Sequence, residues 1–277
     1  MLVVSSAAAL GYGALRAFEE SAGWTAFGPP EIADPRGVRR RADDPYLLVN
    51  DPIAGVWLLD FDGAVLAQIA LPAGLDPGGG AFAPDGTYYV GSRAQRSIER
   101  VDLTARRYAG RALALEGIAF PRGFAVLEDG GFVVASGTHP VRGGGRRALF
   151  RYDRDGKIES DAFVDDRLLD PLDLAVRDGS IYVTSEAPFG AEDAVVSLRR
   201  YDARTGAAAG AWSAQDTPVF GKLRKPRGIT FAQDGTLLLC AQNGVVAVDV
   251  ATFGRARFVA EDDRLAGQSL ALTRAIL

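Results

Sequence analysis

Short apolar runs separated by turn signals follow one another along nearly the whole chain. Residues 132–134 form one such run after an Asp-Gly pair at 129–130, and residues 237–239 form another after the Asp-Gly pair at 234–235. Such runs are typical of β-strands, and the Asp-Gly pairs are typical of tight turns, because Asp bonds its own backbone and Gly tolerates positive φ. The sequence therefore predicts an all-β chain of short antiparallel strands.

The same order of signals recurs along the chain. A Pro-Arg-Gly-apolar motif at 226–229 leads through an Asp-Gly turn into a strand, and the motif at 121–124 does so in the same register. Prolines that start such units lie 42 to 55 residues apart, at Pro35, Pro77, Pro121, Pro171 and Pro226. Each unit carries four short apolar runs, as a four-stranded propeller blade of roughly 40–50 residues requires.

The two ends of the chain decide the number of blades. Residues 2–6, 14–18 and 24–27 match the second, third and fourth strands of a blade, and residues 267–272 match its missing first strand. We therefore predict a six-bladed β-propeller of four-stranded antiparallel blades, in which the C-terminal strand closes the N-terminal blade and removes exposed sheet edges. Five blades is the alternative, if residues 1–30 are a processed or irregular extension.

The predicted propeller is a single domain that spans residues 1–277. Its 33 glycines and 14 prolines are spread between apolar runs, so no linker divides the chain. The blades are expected at about 1–30 plus 267–277, 34–72, 76–116, 120–165, 170–213 and 225–261.

Composition and charge narrow the class of protein. A net charge of −4 disfavours a general nucleic-acid binder, which is more often basic. Cys240 is the only cysteine, so no intramolecular disulfide can form, and we expect it to be buried and inert. No run reaches the roughly 18 apolar residues of a membrane helix. Residues 2–15 lack the basic start of a secretory signal. We expect a soluble, monomeric, cytoplasmic protein, with a secreted or periplasmic location as the alternative.

The single histidine, His139, limits the possible chemistry. One histidine and one cysteine cannot build a zinc site of several such ligands. No Gly-x-Ser-x-Gly elbow is present, so a Ser-His-Asp triad is not expected. His139 is interpreted first as a loop residue, although an acid-base role stays open because its pKa lies near neutrality.

Propeller geometry places the candidate site at the mouth of the central channel. The start of each first strand lies there, together with each loop between the second and third strands. Arginines at three strand starts would attract a carboxylate or phosphate, because a guanidinium offers a fixed fork of donors to paired oxygens. The alternative is that each arginine braces neighbouring loops. The strand-start positions are Arg36, Gly78, Arg122, Leu172, Arg227 and Gln268.

Loops between the second and third strands add polar residues to the same face. They contribute Asn50, Arg93, His139, Glu186 and Asn243. The oxygens of Asn50, Asp173, Glu186 and Asn243 are of the type that calcium takes. Because the nearby arginines disfavour a cation, we expect no metal ligands and no cofactor, with calcium or another divalent cation as the open alternative.

The motif at 226–229, with its following strand, resembles an NHL repeat, and so does the unit at 171–185. The resemblance covers five units and points to the superfamily of NHL-repeat and TolB-like six-bladed propellers, distantly similar to the gluconolactonase and senescence-marker lactonases. It implies either a binding domain that needs only a shaped, charged face, or a lactonase that holds a divalent metal with Glu, Asn and Asp ligands. Of the residues at or beside the strand starts, only Asp173 is an acid that matches such a ligand.

The sequence leaves two functions open. The first is binding of an anionic small molecule or an acidic partner segment at the arginine-lined mouth. The ligand-binding residues would then be Arg36, Arg122, Arg227, Arg93, Asn50, Asn243 and Gln268. The alternative is a metal-dependent hydrolase, lactonase or lyase, with Asp173, Glu186 and His139 as its catalytic residues.

Overall fold

The computed structural model of the protein describes residues 1–6, 15–41, 43–138, 145–188, 191, 194–251, 255–263 and 265–273. Within these residues the strands form six four-stranded antiparallel sheets. The six-bladed β-propeller predicted from the repeats is therefore confirmed. No helix of the described residues is long and apolar enough to cross a membrane.

The strands follow one another blade by blade. Blade 1 contains β1 (Leu2–Ser6), β2 (Leu15–Glu19) and β3 (Gly23–Phe27). Blade 2 contains β4 (Gly37–Arg39), β5 (Leu47–Asp51), β6 (Gly55–Leu59) and β7 (Val65–Ile69). Blade 3 contains β8 (Pro77–Phe82), β9 (Tyr88–Ser92), β10 (Ser97–Asp102) and β11 (Arg107–Ala114). Blade 4 contains β12 (Pro121–Val126), β13 (Phe132–Ser136), β14 (Ala148–Tyr152) and β15 (Ile158–Val164).

The second half of the chain continues in the same way. Blade 5 contains β16 (Pro171–Arg177), β17 (Ser180–Ala187), β18 (Val195–Asp202) and β19 (Ala208–Ser213). A short helix, α1 (Pro218–Lys222), precedes blade 6 and is anchored by the buried Phe220. Blade 6 contains β20 (Gly228–Phe231), β21 (Leu237–Ala241), β22 (Gly244–Val248) and β23 (Ala256–Glu261), and β24 (Gly267–Leu272) completes blade 1.

The ring closes through β24. This strand pairs antiparallel with β1, so that Ala271 lies opposite Val3. Leu270 and Val4 are fully buried and pack against Leu238 of blade 6. Closure therefore joins the two ends of the chain through backbone hydrogen bonds and covers the apolar face of the last blade, as the strand pattern predicts.

The hydrophobic core is divided among the interfaces between neighbouring blades. One cluster, for example, joins Val133 and Ala135 of blade 4 to Ile181 and Val183 of blade 5. Each added blade supplies its own layer of buried side chains, which is why a chain of 277 residues can form one propeller.

The glycine of the Pro-Arg-Gly motif lies where first strands of adjacent blades approach each other around the channel. A Cβ atom on Gly123 would lie 2.6 Å from the Cα of Asp173, and one on Gly228 would lie 2.7 Å from the Cα of Ser269. A Cβ on Gly37 would lie 2.8 Å from the carbonyl oxygen of Gly78 in blade 3. A side chain at these positions would collide with backbone, so close packing of the inner strands requires glycine.

Candidate functional site

A cavity of about 240 Å³ lies at the mouth of the central channel. It is lined by all six strand-start positions, namely Arg36, Gly78, Arg122, Leu172, Arg227 and Gln268. Arg93, from the loop between β9 and β10, lines the same cavity. The structure therefore brings together five residues that the sequence proposed for ligand binding: Arg36, Arg93, Arg122, Arg227 and Gln268.

Arg36 is held by an acidic neighbour. Its Nε and Nη2 atoms donate to Asp34 Oδ2 at 2.8 and 2.6 Å. The hydrogen bond to Asp34 raises the pKa of Arg36 above its ordinary value, against the opposing effect of partial burial. Most of the charge of Arg36 is thus balanced within its own loop.

A second arginine, Arg39, crosses the channel from β4. It donates to the carbonyl oxygen of Gly80 at 2.6 Å, to Ser269 Oγ at 2.7 Å and to Asp173 Oδ2 at 3.1 Å. These contacts connect blade 2 with blades 3, 1 and 5. Arg39 therefore ties four blades together beneath the mouth.

Asp173 is the acceptor of that link and is almost completely buried. The backbone N–H of Ile229 also donates to its Oδ2 atom, at 3.3 Å. Burial raises the pKa of the Asp173 carboxyl, and Arg39 opposes this rise. The carboxylate is already engaged by a guanidinium and a backbone amide, which leaves it poorly placed to act as a base or a metal ligand.

The sequence-based prediction did not include Arg39, although a signal for it exists. Arg39 is the fifth residue counted from Pro35, and the fifth residue in the units of blades 3, 4 and 5 is alanine. A charged residue at a position that is small in the other units indicates a contact specific to this blade.

Arg122 is the most enclosed guanidinium of the mouth. Its Nη1 atom lies 3.4 Å from Asp170 Oδ1 and donates to the carbonyl oxygen of Pro171 at 3.1 Å, while Nη2 donates to the carbonyl oxygen of Thr138 at 2.5 Å. Burial lowers the pKa of Arg122 to about 10, with Arg227 and Arg93 contributing to the decrease and Asp170 opposing it. This side chain both braces blade 4 against blade 5 and carries positive charge into the cavity wall.

Phe120 positions two of the arginines. The guanidinium carbon of Arg93 lies 5.1 Å from the centre of the Phe120 ring, and that of Arg122 lies 5.5 Å from it. Both distances are within the range of a cation–π interaction. Phe120 was missed by sequence reasoning, because it precedes the Pro-Arg-Gly motif rather than belonging to it.

The side chains of Arg93 and Gln268 have N–H groups that are not engaged by other described residues. Within the described residues, the guanidinium of Arg93 makes no hydrogen bond or ion pair, and the amide of Gln268 makes no hydrogen bond. Partial desolvation, together with the charge of Arg36, lowers the pKa of Arg93. Both side chains border the cavity, so both can donate to a ligand without breaking an existing bond.

Arg227 and Glu186 form a coupled pair of charges at blades 6 and 5. Burial lowers the pKa of Arg227, Glu186 opposes that effect, and Arg93 adds to it. Glu186 is buried, and its Oε2 atom has no hydrogen-bond partner within the described part of the chain. Burial raises the pKa of Glu186, although Arg227, Lys225 and Arg122 all oppose the rise.

Asn50 and Asn243 hold loops together. Asn50 donates from Nδ2 to the carbonyl oxygen of Gly78 at 2.9 Å, and its Oδ1 accepts the Tyr88 hydroxyl at 2.9 Å. Asn243 donates to the carbonyl oxygen of Lys222 at 2.9 Å, and its Oδ1 accepts the backbone N–H of Arg224 at 3.0 Å. Neither residue is among those that line the cavity.

His139 lies outside the described residues. A catalytic role for His139, and ligand-binding roles for Asn50 and Asn243, therefore stay predictions from the sequence.

The charges of the site do not fit a divalent cation. Among the described residues, no group of three His, Cys, Asp or Glu side chains is placed to hold a metal ion. Asp173, the acid at the mouth, is paired with Arg39. A hard cation prefers several convergent oxygens, and it would meet a ring of guanidinium groups here.

No protein-family model and no curated protein matches this sequence. Several solved structures share its fold. One is a chain of a nidogen/laminin complex, with 14% identity, a TM-score of 0.69 and coverage of 99% of each chain. Another is a protein of unknown function from Bacteroides caccae, with 12% identity, a TM-score of 0.65 and coverage of 97% of each chain.

An enzyme is also among the similar structures. It is a catalytically inactive virginiamycin B lyase from Staphylococcus aureus with quinupristin, with 13% identity, a TM-score of 0.58 and coverage of 86% of this chain and 76% of that one. At such identities the comparisons show a shared six-bladed propeller. Because the fold is common to binding proteins and enzymes, function has to be argued from the site.

Proposed function

We propose that the protein binds a small anionic molecule through carboxylate or phosphate oxygens at the channel mouth. The observation that carries the proposal is the convergence of Arg93, Arg122 and Arg227, from blades 3, 4 and 6, on one cavity. Burial lowers the pKa of each of the three, and the charge of another of these guanidiniums or of Arg36 lowers it as well. An anion between them would relieve this repulsion and gain charge-assisted hydrogen bonds.

The donors of the site differ in how far their N–H groups are already engaged by the protein. Arg36, Arg39 and Arg122 each have a carboxylate within 3.4 Å. The side chains of Arg93 and Gln268 have no carboxylate partner within the described residues, so their N–H groups are available to oxygen atoms of a ligand. The cavity volume of about 240 Å³ is below the roughly 300–1,000 Å³ of typical small-molecule pockets. These features favour a small anion over a large cofactor.

A second candidate is the side-chain carboxylate of an acidic partner segment. The cavity opens at the channel mouth, and one of the similar structures is a chain of a nidogen/laminin complex. The same guanidiniums would then bind Asp or Glu of a protein. Metal-dependent hydrolysis has less support, since Asp173 is engaged by Arg39 and no metal-binding group is found among the described residues.

Titration calorimetry at constant ionic strength tests the proposal. Inorganic phosphate, acetate and citrate represent small anions, and a short poly-glutamate peptide represents the partner segment. We expect saturable binding of at least one small anion, and Arg93→Ala should weaken it by roughly tenfold or more, the value of one charged hydrogen bond. Tighter binding of the peptide than of every small anion would favour the second candidate.

Arg154→Ala is the matched control. Arg154 is exposed in the turn between β14 and β15, on the face opposite the mouth. Its removal changes the net charge by the same amount as Arg93→Ala but should leave anion affinity within about twofold, because exposed distant charges are screened. Equal losses in the two variants, or no saturable binding of any anion or of the peptide, would overturn the proposed site.

A further inference from the structure

The inner ring of the propeller is tightly packed at some blade junctions and open at another. At Gly37, Gly123 and Gly228, an added Cβ would lie 2.8 Å or less from an atom of the next blade. Gly79 holds the corresponding position in blade 3, two residues after Pro77. A Cβ on Gly79 would have no heavy atom within 4 Å.

The open space at Gly79 belongs to the cavity. Gly78, Gly79 and Gly91 all line it, and Gly78 contributes only backbone at the position where blades 2, 4 and 6 supply an arginine side chain. A Cβ on Gly91 would lie 3.2 Å from the Phe124 ring of blade 4. Of the three positions, only Gly79 has open space beside it, and this space forms a slot between blades 3 and 4.

The walls of this slot are apolar. Ile98 and Leu115 of the blade 3 side line the cavity, as do Phe124 and Val134 of blade 4. All four belong to the hydrophobic cluster that joins the two blades. One cavity therefore has guanidinium groups at its mouth and a hydrocarbon wall on one side.

The cationic and apolar parts meet at Phe120. This ring lines the cavity and lies beside the guanidiniums of Arg93 and Arg122, at 5.1 and 5.5 Å. A head group bound by these two arginines would thus have its neighbouring carbon atoms directly at the slot. The cavity volume of about 240 Å³ favours a compact ligand.

We propose that the ligand is a small amphiphilic anion, whose carboxylate or phosphate head binds Arg93 and Arg122 and whose apolar arm enters the slot between blades 3 and 4. The proposal rests on the anion-binding function above and adds the chemical class of the ligand. A short-chain fatty acid or a simple aromatic acid has these properties, whereas inorganic phosphate and citrate lack the arm.

A series of carboxylates tests the apolar arm. Acetate, butyrate, hexanoate and benzoate are titrated into the protein at constant ionic strength, together with inorganic phosphate. Burial of a methylene group corresponds to about a fourfold gain in affinity. We expect the dissociation constant to fall by about that factor per methylene until the slot is filled.

Gly79→Leu fills the slot without removing a charge. We expect it to reduce the affinity for hexanoate to that for acetate and to leave acetate binding within about twofold of the wild type. Gly221→Leu is the control, since it places the same side chain on the exposed glycine of α1. Thermal unfolding verifies that both variants fold, and Gly79→Ala provides a smaller obstruction if Gly79→Leu does not.

The outcomes separate this inference from the function on which it rests. Equal binding of acetate and hexanoate by the wild type would overturn the apolar arm and leave anion binding intact. Equal weakening of acetate and hexanoate by the substitution at Gly79 would also overturn the arm, because it would indicate a general disturbance of the mouth. If none of the anions binds, the proposed function fails and the inference fails with it.

Discussion

Replacement of Asn50 by alanine should lower stability and leave anion affinity unchanged. Asn50 lies in β5 of blade 2 and is fully buried, and its amide bonds the Gly78 carbonyl of β8 and the Tyr88 hydroxyl of β9 at 2.9 Å each. Both partners belong to blade 3. The side chain thus acts as a brace between blades, whereas the sequence alone suggested a ligand-binding residue.

The expected magnitude follows from the groups that lose their partner. Tyr88 is fully buried, so its hydroxyl cannot turn to solvent after the substitution. A buried polar group left unsatisfied costs about 1–3 kcal/mol, and the lost hydrogen bond to partly exposed Gly78 adds about 1 kcal/mol. We expect Asn50→Ala to lower the free energy of unfolding by about 3 kcal/mol, or the melting temperature by roughly 6 °C for a domain of this size.

Urea unfolding followed by circular dichroism measures the change, and a double-mutant cycle identifies its cause. Tyr88→Phe alone leaves Asn50 Oδ1 without its donor and should cost about 1.5 kcal/mol. The combination of both substitutions should cost less than Asn50→Ala alone, about 1–2 kcal/mol, because the orphaned hydroxyl is then absent. Anion affinity, measured under conditions where all variants are folded, should stay within about twofold of the wild type.

A different pattern would refute this reasoning. If Asn50→Ala unfolds within about 0.5 kcal/mol of the wild type but loses anion affinity, Asn50 contacts the ligand and the brace has little energetic value. Strict additivity of the two substitutions would mean that the Asn50–Tyr88 hydrogen bond does not contribute to stability.

Substitutions at Gly123, Gly79 and Glu186 test the inner ring and the buried acid of blade 5. Gly123→Ala should lower the free energy of unfolding by about 1–3 kcal/mol, because its Cβ would lie 2.6 Å from the Asp173 Cα. Gly79→Ala places its Cβ in open space and should change the free energy of unfolding by less than about 1 kcal/mol in the same urea experiment. Similar values for the two variants would contradict the packing argument. Burial raises the pKa of Glu186 above its ordinary 4.5, so the associated stability is present below that value and is lost as pH rises through the folded-state pKa. Glu186→Gln should therefore melt higher than the wild type at pH 7 and close to it at pH 4; an equal difference at both pH values would show that the carboxyl does not titrate in this way.

Much of the fold could be predicted because its signals are local. The Asp-Gly turns and alternating runs mark strand ends, and the recurring prolines mark blades. The match of residues 267–272 to a first strand predicted the closure that pairs Ala271 with Val3. Part of the site followed as well, since strand starts share one face in any propeller, and all six of those positions line the cavity.

Other contacts of the site depend on distances that no repeat pattern encodes. Arg39 and Asp173 are 134 positions apart in sequence, yet they form an ion pair across the channel. Phe120 acquires its role only because the loop of blade 3 brings Arg93 to the same ring as Arg122. Such meetings result from the packing of blades around a shared axis.

The sequence by itself determined the all-β propeller, its six blades and the positions that surround the channel, because turn chemistry and strand periodicity act over a few residues and repeat along the chain. Only the tertiary structure decided which of those side chains form hydrogen bonds or ion pairs with neighbouring residues and which have donor groups facing the cavity. The three glycines at 78–80 illustrate the difference. In the sequence they only replace the arginine and the apolar residue of the Pro-Arg-Gly-apolar motif. In the folded ring, Gly79 has open space beside it, because that space depends on how closely blade 4 approaches.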